Sequence, residues 1–289
     1  MRTHAFRAMG TEVELLIDAE GPAADAALRA AESEVRRLEE ILSRFDPRSE
    51  LSLLNRIGRI TPGPDLARVI RAALAARERT GGRFDPTVLP ALRAAGYDRD
   101  LPEVMAGDPG PAGPAMPAAG DVRIDSRGGE IVLAPGVQLD LGGIAKGDAA
   151  DRAVAIMREA GPAVAIVGGD VAVSGPRRDG SGWPIEVDGA GGLVLAIREG
   201  GLATSGTDRR RWHRDGVAQH HIIDPATGLP AMTDLLRATV AAPSAADAEV
   251  LATELLLLGH ERGVRRARDL GVPAVLTGQD GPVLAGVLA

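Results

Sequence analysis

Amphipathic helical stripes and turn-bounded strand runs, interspersed along 289 residues, predict an α+β chain built as one large domain or two interlocked lobes. Two observations carry that reading. Leu28, Ala31, Val35, Leu38 and Leu42 recur at three- and four-residue spacing with Arg and Glu between them, the pattern of a helix with one buried face. Ala163 to Val167, Trp183 to Val187 and Leu193 to Ile197 are short apolar or alternating runs bounded by glycine-containing turns, as strands are. No strand–GxGxxG–helix unit can be written, which places a dinucleotide-dependent oxidoreductase well behind other readings.

The elements follow in order. Met9-Gly10-Thr11 introduces a strand over Glu12 to Ile17, and Pro22 starts the first helix, which Phe45-Asp46-Pro47 stops. Ser49 to Asn55 form a short turn or helix. A second helix is expected from about Pro64 to Arg79, with Leu66, Val69, Ile70 and Leu74 inward and Gly81-Gly82 as its stop. Asp85, ahead of Pro86, reads equally as a turn former and as a ligand contact. Residues 101–120 are rich in Pro, Gly and Ala without periodicity and read as a surface excursion.

Strands are expected at Val122 to Ile124 and Glu130 to Leu133. The run from Ala163 to Val173 is interrupted by Gly168-Gly169-Asp170, which predicts a bulge or a close backbone approach inside one strand. Thr204 and Ser205 put hydroxyls at a strand end before Arg209-Arg210-Arg211, a run that is either a solvated face or a phosphate holder. His220 and His221 precede a second Asp-Pro turn, Asp224-Pro225. Adjacent strand residues face opposite ways, so at most one of these imidazoles serves a given site. The chain closes with a strand from Thr239 to Ala242, a helix from Ser244 to Gly259, a further helix to Leu270, and strands at Ala274 to Leu276 and Val283 to Val287.

Composition removes several function classes. A formal charge of -7 and 2% aromatic residues argue against a nucleic-acid surface, though not against a small anion held by backbone groups. Absence of cysteine excludes disulfides, thiol nucleophiles and zinc–thiolate sites. The opening residues carry no apolar core of a signal peptide, and no 18-residue apolar run occurs, so the expectation is a cytoplasmic protein without a membrane partner.

One stretch organises the rest: Leu139 to Asp151. It reads as a short apolar strand, the pair Gly142-Gly143, then Ile144-Ala145-Lys146-Gly147 running into a helix near Asp148. Such a junction aims backbone N–H groups and a helix N-terminus at an anion. Lys146 is the only lysine in the chain; every other residue in the Lys+Arg total of 33 is arginine. An ammonium is a compact point charge, not interchangeable with a guanidinium beside a phosphate. Further on, Glu249 and Thr253 lie four apart on one helical face and offer the hard oxygens that magnesium takes, while Asp247 points elsewhere unless the first turn is loose.

Met9 to Thr11, Ser49 to Asn55, Gly82 to Thr87, Leu139 to Asp151, Gly168 to Asp170, Thr204 to Gly206 and His221 to Gly228 together, in this order, resemble the family of FAD:protein FMN transferases, once assigned to thiamine biosynthesis. The resemblance implies a mixed α+β, two-lobed fold with its site in a cleft between the lobes. It implies a magnesium-dependent enzyme whose substrate is FAD. Such an enzyme moves FMN onto a Thr or Ser hydroxyl of a target flavoprotein through a phosphoester and releases AMP. By the same match, Gly142, Gly143, Ala145 and Lys146 border the diphosphate and metal, with a main-chain oxygen near Ala145 as a magnesium ligand. Phe84, Asp85, Gly169, Asp170, Thr204 and Ser205 line the nucleotide cleft, and Asn55 lies near the flavin end. His221 is the candidate general base, with Asp224 the runner-up.

The family places Asp four residues before the metal-helix Thr. Here Glu249 stands there, with Asp247 six before Thr253, so either carboxylate is a candidate to complete the site. An FAD pyrophosphatase giving FMN and AMP, and a flavin-binding protein without metal chemistry, are the alternatives; acceptor identity and oligomeric state are not written in the sequence.

Overall fold

A computed structural model describes residues 1–99, 101–106, 113–118, 120–124, 129–214 and 216–286. The fold is α+β. Two compact units make it up, each discontinuous in sequence: Met1–Glu39, Ile144–Ser205 and Asp234–Ala289 form the first, Glu40–Gly143 and Gly206–Thr233 the second. The chain therefore passes from the second to the first between Gly143 and Ile144, inside the glycine-rich stretch.

The first unit is built on an eight-stranded sheet in the order Arg2–Ala8, Thr11–Ile17, Ala163–Val167, Asp170–Ser174, Gly200–Gly206, Leu235–Ala242, Ala274–Gly278 and Gly281–Ala285. Strand Thr11–Ile17 shows why it pairs there. Val13, Leu15 and Ile17 are fully buried while Glu12 and Glu14 alternate outward, so one face can enter a core. That core joins them to Leu28, Ala31 and Val35 of the helix Pro22–Leu42 and to Ala150, Ala153 and Met157 of the helix Ala145–Met157. Burying each large side chain among these contributes roughly 1.5–3 kcal/mol.

Gly168 and Gly169 correct the expectation of a bulge. They form the two-residue turn of a hairpin, with Val167 paired to Asp170, and both take positive φ, +62° and +96°. Two successive positive φ values match the twist of the strands they join, which is why glycines stand there. The consequence is that Asp170 begins a new, antiparallel strand rather than continuing the old one.

The C-terminal helix Ala245–Leu270 breaks where the sequence placed the break, at Gly259 (φ 73, ψ 179), and the Asp234 carboxylate accepts the N–H of His260 at 2.8 Å to start the second segment. Arg266 folds back to Glu254, Nε to Oε1 at 2.9 Å. At its other end Ser244 caps the helix, accepting the Asp247 N–H at 3.1 Å. That end is seated on glycines. A Cβ on Gly147 would lie 2.6 Å from the Ala245 carbonyl carbon, and one on Gly201 would fall on the Ala245 backbone nitrogen.

The second unit carries the helices Glu50–Ile57, Pro64–Arg79, Leu89–Ala94 and Leu101–Ala106, a three-stranded sheet ordered Arg59–Ile60, Ile131–Leu133, Val122–Ile124, and the hairpins Arg211–Arg214/Val217–His220 and Ile223–Asp224/Leu229–Pro230. One of its buried clusters joins Trp212 with Ala91, Leu92, Ala95, Val104 and Ile223, and the Trp212 indole N–H donates to the Ala95 carbonyl at 2.8 Å. Val104 thereby anchors part of the stretch read as a surface excursion, whose residues 107–112 and 119 lie outside the described residues. Val287, expected at the end of the last strand, lies outside them too. Among the described residues no helix is long and apolar enough to cross a membrane.

Gly201→Ala is expected to destabilise the protein by about 3 kcal/mol, because backbone rather than a flexible side chain occupies the Cβ position. Urea unfolding measures it; a change below about 0.5 kcal/mol would contradict this packing.

Candidate active site

In the first unit three charged side chains from three elements meet out of solvent. Lys146 Nζ bonds Asp170 Oδ2 at 2.6 Å and also Glu249 Oε1, with the three side chains 13%, 4% and 5% exposed. The second oxygen of Glu249 accepts the Gly147 N–H at 3.0 Å. Lys146 and Gly147 stand in the first turn of one helix, Asp170 at the start of a strand, and Glu249 in the first turns of the C-terminal helix. A buried carboxylate demands a cation or donors, and here Glu249 has both.

Burial is nonetheless the larger effect on Glu249. It pushes the carboxyl up to about 8, Asp170 adds to the rise, and Lys146 and the Gly147 amide oppose it. Asp151 is a residue the sequence reading passed over. Its two oxygens accept the Ala245 and Ala246 N–H groups at 2.8 and 3.0 Å, so it caps the helix that carries Glu249. Burial raises its carboxyl to about 6 against those two bonds. The signal was present in the sequence: Asp151 follows Gly147 by four, hence shares its helical face, and both meet Ala245–Ala246.

The predicted hydroxyls also pair. Thr253 Oγ1 and Ser205 Oγ are 2.9 Å apart, and Thr204 Oγ1 is 2.8 Å from Thr239 Oγ1. Asp247 is tied to the cap, accepting from Ser244 Oγ at 3.0 Å, while Glu249 is the carboxylate that joins Lys146 and Asp170. Ala145 is buried as the first residue of its helix. Gly169 has nothing within 4 Å of a Cβ position. No three His, Cys, Asp or Glu among the described residues cluster to hold a metal. What the first unit does supply is hard-oxygen donors on one face of the C-terminal helix, the Glu249 carboxylate and the Thr253 hydroxyl, a donor type that fits magnesium.

In the second unit the predicted residues converge on the glycine loop. Asn55 grips Leu139 twice, its Oδ1 accepting the Leu139 N–H at 2.7 Å and its Nδ2 donating to the Leu139 carbonyl at 2.9 Å. The Asp140 N–H donates to the Pro86 carbonyl at 2.8 Å. Phe84 packs so close that a Cβ on Gly143 would lie 3.0 Å from its ring, and the Gly142 N–H is taken by Asp140 Oδ1 at 2.7 Å. Asp85 is committed within the unit: Arg77 Nε reaches one oxygen at 2.8 Å, and the Thr87 N–H and hydroxyl take the other at 2.8 and 2.7 Å.

The two histidines separate. His220 sits within the hairpin, its Nε2 3.1 Å from the Ala231 carbonyl, and burial lowers its pKa. His221 is half-buried just past the strand end. Asp224 accepts the Ala226 N–H at 2.9 Å and its carbonyl accepts the Gly228 N–H at 2.8 Å, which makes it the corner of the turn to Gly228.

The sequence profile of the ApbE family matches residues 9–276. The chain belongs to the ApbE family. The FAD:protein FMN transferase of Treponema pallidum is 31% identical to it over 96% of this chain and 84% of that protein. The enzyme of the same name from Salmonella typhimurium is 28% identical over 83% and 73%. Among solved structures, the ApbE protein of Thermotoga maritima superposes with a TM-score of 0.86 at 27% identity, covering 98% of this chain and 96% of that one. The flavinyl transferase ApbE of Pseudomonas stutzeri, TM-score 0.80 at 23% identity, speaks for the fold alone.

Both raised acids make metal-free stability depend on pH. Glu249 and Asp151 bind protons more tightly folded than at their ordinary values of 4.5 and 3.8, so their contribution is full below those values. It is lost as pH rises through about 8 and about 6 respectively. Urea midpoints are therefore expected to fall across this interval by the equivalent of a few kcal/mol, on the order of the pKa shifts themselves. Glu249→Gln should flatten the upper part of the fall and Asp151→Asn the lower. Wild-type slopes in both variants would contradict the assignment.

Proposed function

We propose that this protein is a magnesium-dependent FAD:protein FMN transferase acting on a Thr or Ser hydroxyl of a target flavoprotein. The observation that carries the reading is the buried Asp170–Lys146–Glu249 arrangement, with Thr253 one turn beyond Glu249 and bonded to Ser205, in a chain whose relatives carry that activity by name.

The reaction needs one bond made and one broken. The acceptor oxygen bonds to the phosphorus of the riboflavin phosphate, the bond from that phosphorus to the bridging oxygen of the diphosphate breaks, and AMP leaves with that oxygen. His221 takes the acceptor's proton, with Asp224 the second candidate. Glu249, Thr253 and the main-chain oxygen of Ala145 hold the metal, with Asp247, at the helix cap, the other carboxylate within the same turns. Magnesium, when bound, offsets charge on the phosphoryl oxygens. Lys146, the one lysine of the chain, brings its ammonium to the same place. Gly142 and Gly143 border the diphosphate; Phe84, Gly169, Asp170, Thr204 and Ser205 line the nucleotide. Asp85 serves that lining by fixing the turn after Phe84, and Asn55 by fixing Leu139 toward the flavin end.

Incubation with FAD, magnesium and an acceptor peptide, followed by mass spectrometry, tests this. The expected result is a gain of FMN on the peptide hydroxyl, reduced on the order of 10²-fold or more in Thr253→Ala and in His221→Ala. Free FMN and AMP with no adduct would replace the transferase by a pyrophosphatase. Intact bound FAD under all metals would replace it by a binding protein.

A further inference from the structure

Arg44 is a buried charged group paired with the Asp140 carboxylate of the glycine loop, and nothing in the reaction as derived above uses it. Its side chain is 6% exposed, with Nε 2.6 Å from Asp140 Oδ2; Asp140 itself is 12% exposed. Nη1 donates to the Tyr97 carbonyl at 3.0 Å. The guanidinium lies 4.0 Å from the Phe45 ring centroid and 4.5 Å from that of Tyr97. Nη2 is buried without a hydrogen-bond partner among the described residues, a costly condition. An arginine kept in spite of that cost is fixed in place by its other contacts, and its ion pair is with Asp140.

Asp140 passes the constraint on. Its other oxygen accepts the Gly142 N–H at 2.7 Å, and its own N–H is held by Pro86. Two glycines without Cβ atoms leave this loop many conformations, so an aspartate that closes the turn onto Gly142 decides which one is populated. A mobile carboxylate would close it only part of the time. Arg44, packed against two aromatic rings and bonded to a carbonyl, removes that freedom.

The geometry points to Arg44 and Asp140 as positioning residues that preset the Gly142–Gly143 loop for the FAD diphosphate. Neither touches the reacting atoms. The inference rests on the reading that this loop borders the diphosphate, and it adds that FAD binding depends on a charge pair behind the loop.

Arg44→Met, Arg44→Lys and Asp140→Asn test it, each checked for folding by thermal denaturation. Amide hydrogen exchange at Gly142 is expected to accelerate about tenfold in Arg44→Met and Asp140→Asn, as a local bond opens. Kd and KM for FAD should rise about tenfold, equivalent to one such bond, while kcat stays within about threefold because the chemistry is untouched. Arg44→Lys keeps the charge on Asp140 and should recover part of both effects; with Asp140→Asn it carries the test if Arg44→Met does not fold. Unchanged Gly142 exchange in folded variants overturns the relay. Faster exchange with unchanged Kd for FAD overturns the positioning role. A wild-type protein with no affinity for FAD would instead sink the functional reading, and Gly142 exchange would still decide the relay.

Discussion

The ammonium of Lys146 holds the first unit's site together. Two carboxylates, Asp170 and Glu249, are out of water at the ends of two different elements, and neither position is tolerable without a cation beside it. Everything near them serves that meeting. The Gly168-Gly169 turn starts a new strand at Asp170. Gly147 is small enough for the start of the C-terminal helix to lie against it, and its amide is free to donate to Glu249. Asp151, one turn further, secures the same helix end. Glu249 reaches Lys146 with one oxygen while the other accepts the Gly147 N–H.

The second unit solves a different problem, how to fix a loop with two consecutive glycines. Main-chain entropy favours disorder there. Three separate segments oppose it: Asn55 on Leu139, Arg44 on Asp140, and the Phe84–Pro86 stretch, with Pro86 on Asp140 and Phe84 against Gly143. A Cβ on Gly142 would crowd the Asp140 carboxylate at 2.9 Å, and one on Gly143 the Phe84 ring at 3.0 Å. The loop amides are thus partly committed before any ligand arrives, Gly142's to Asp140 in particular.

The parts of this arrangement that follow from periodicity were legible in the sequence. The helices, most strands, the break at Gly259 and the shared face of Glu249 and Thr253 all follow from spacing and glycine placement. The turn at Gly168-Gly169 was misread because a double glycine between two valine-rich runs looks the same whether the chain continues or reverses; only the pairing of Val167 with Asp170 tells them apart. Lys146 was expected beside a phosphate, and its bonds to Asp170 and Glu249 join residues that are far apart in sequence, which no local pattern reveals. The same holds for Arg44 and Asp140. Val104 was hidden by composition, since a Pro-, Gly- and Ala-rich stretch gives no period from which one buried side chain can be read.

A double-mutant thermodynamic cycle on Lys146 and Glu249 tests the central claim most directly. Measured above pH 8, where Glu249 is ionised, Lys146→Met leaves two buried carboxylates without their cation and is expected to cost about 3–5 kcal/mol. Adding Glu249→Gln removes one of those charges and should return a large part of that loss, giving a coupling energy of about 2 kcal/mol or more. Additive effects, within about 0.5 kcal/mol, would mean that Lys146 does not sit between Asp170 and Glu249 in the folded protein.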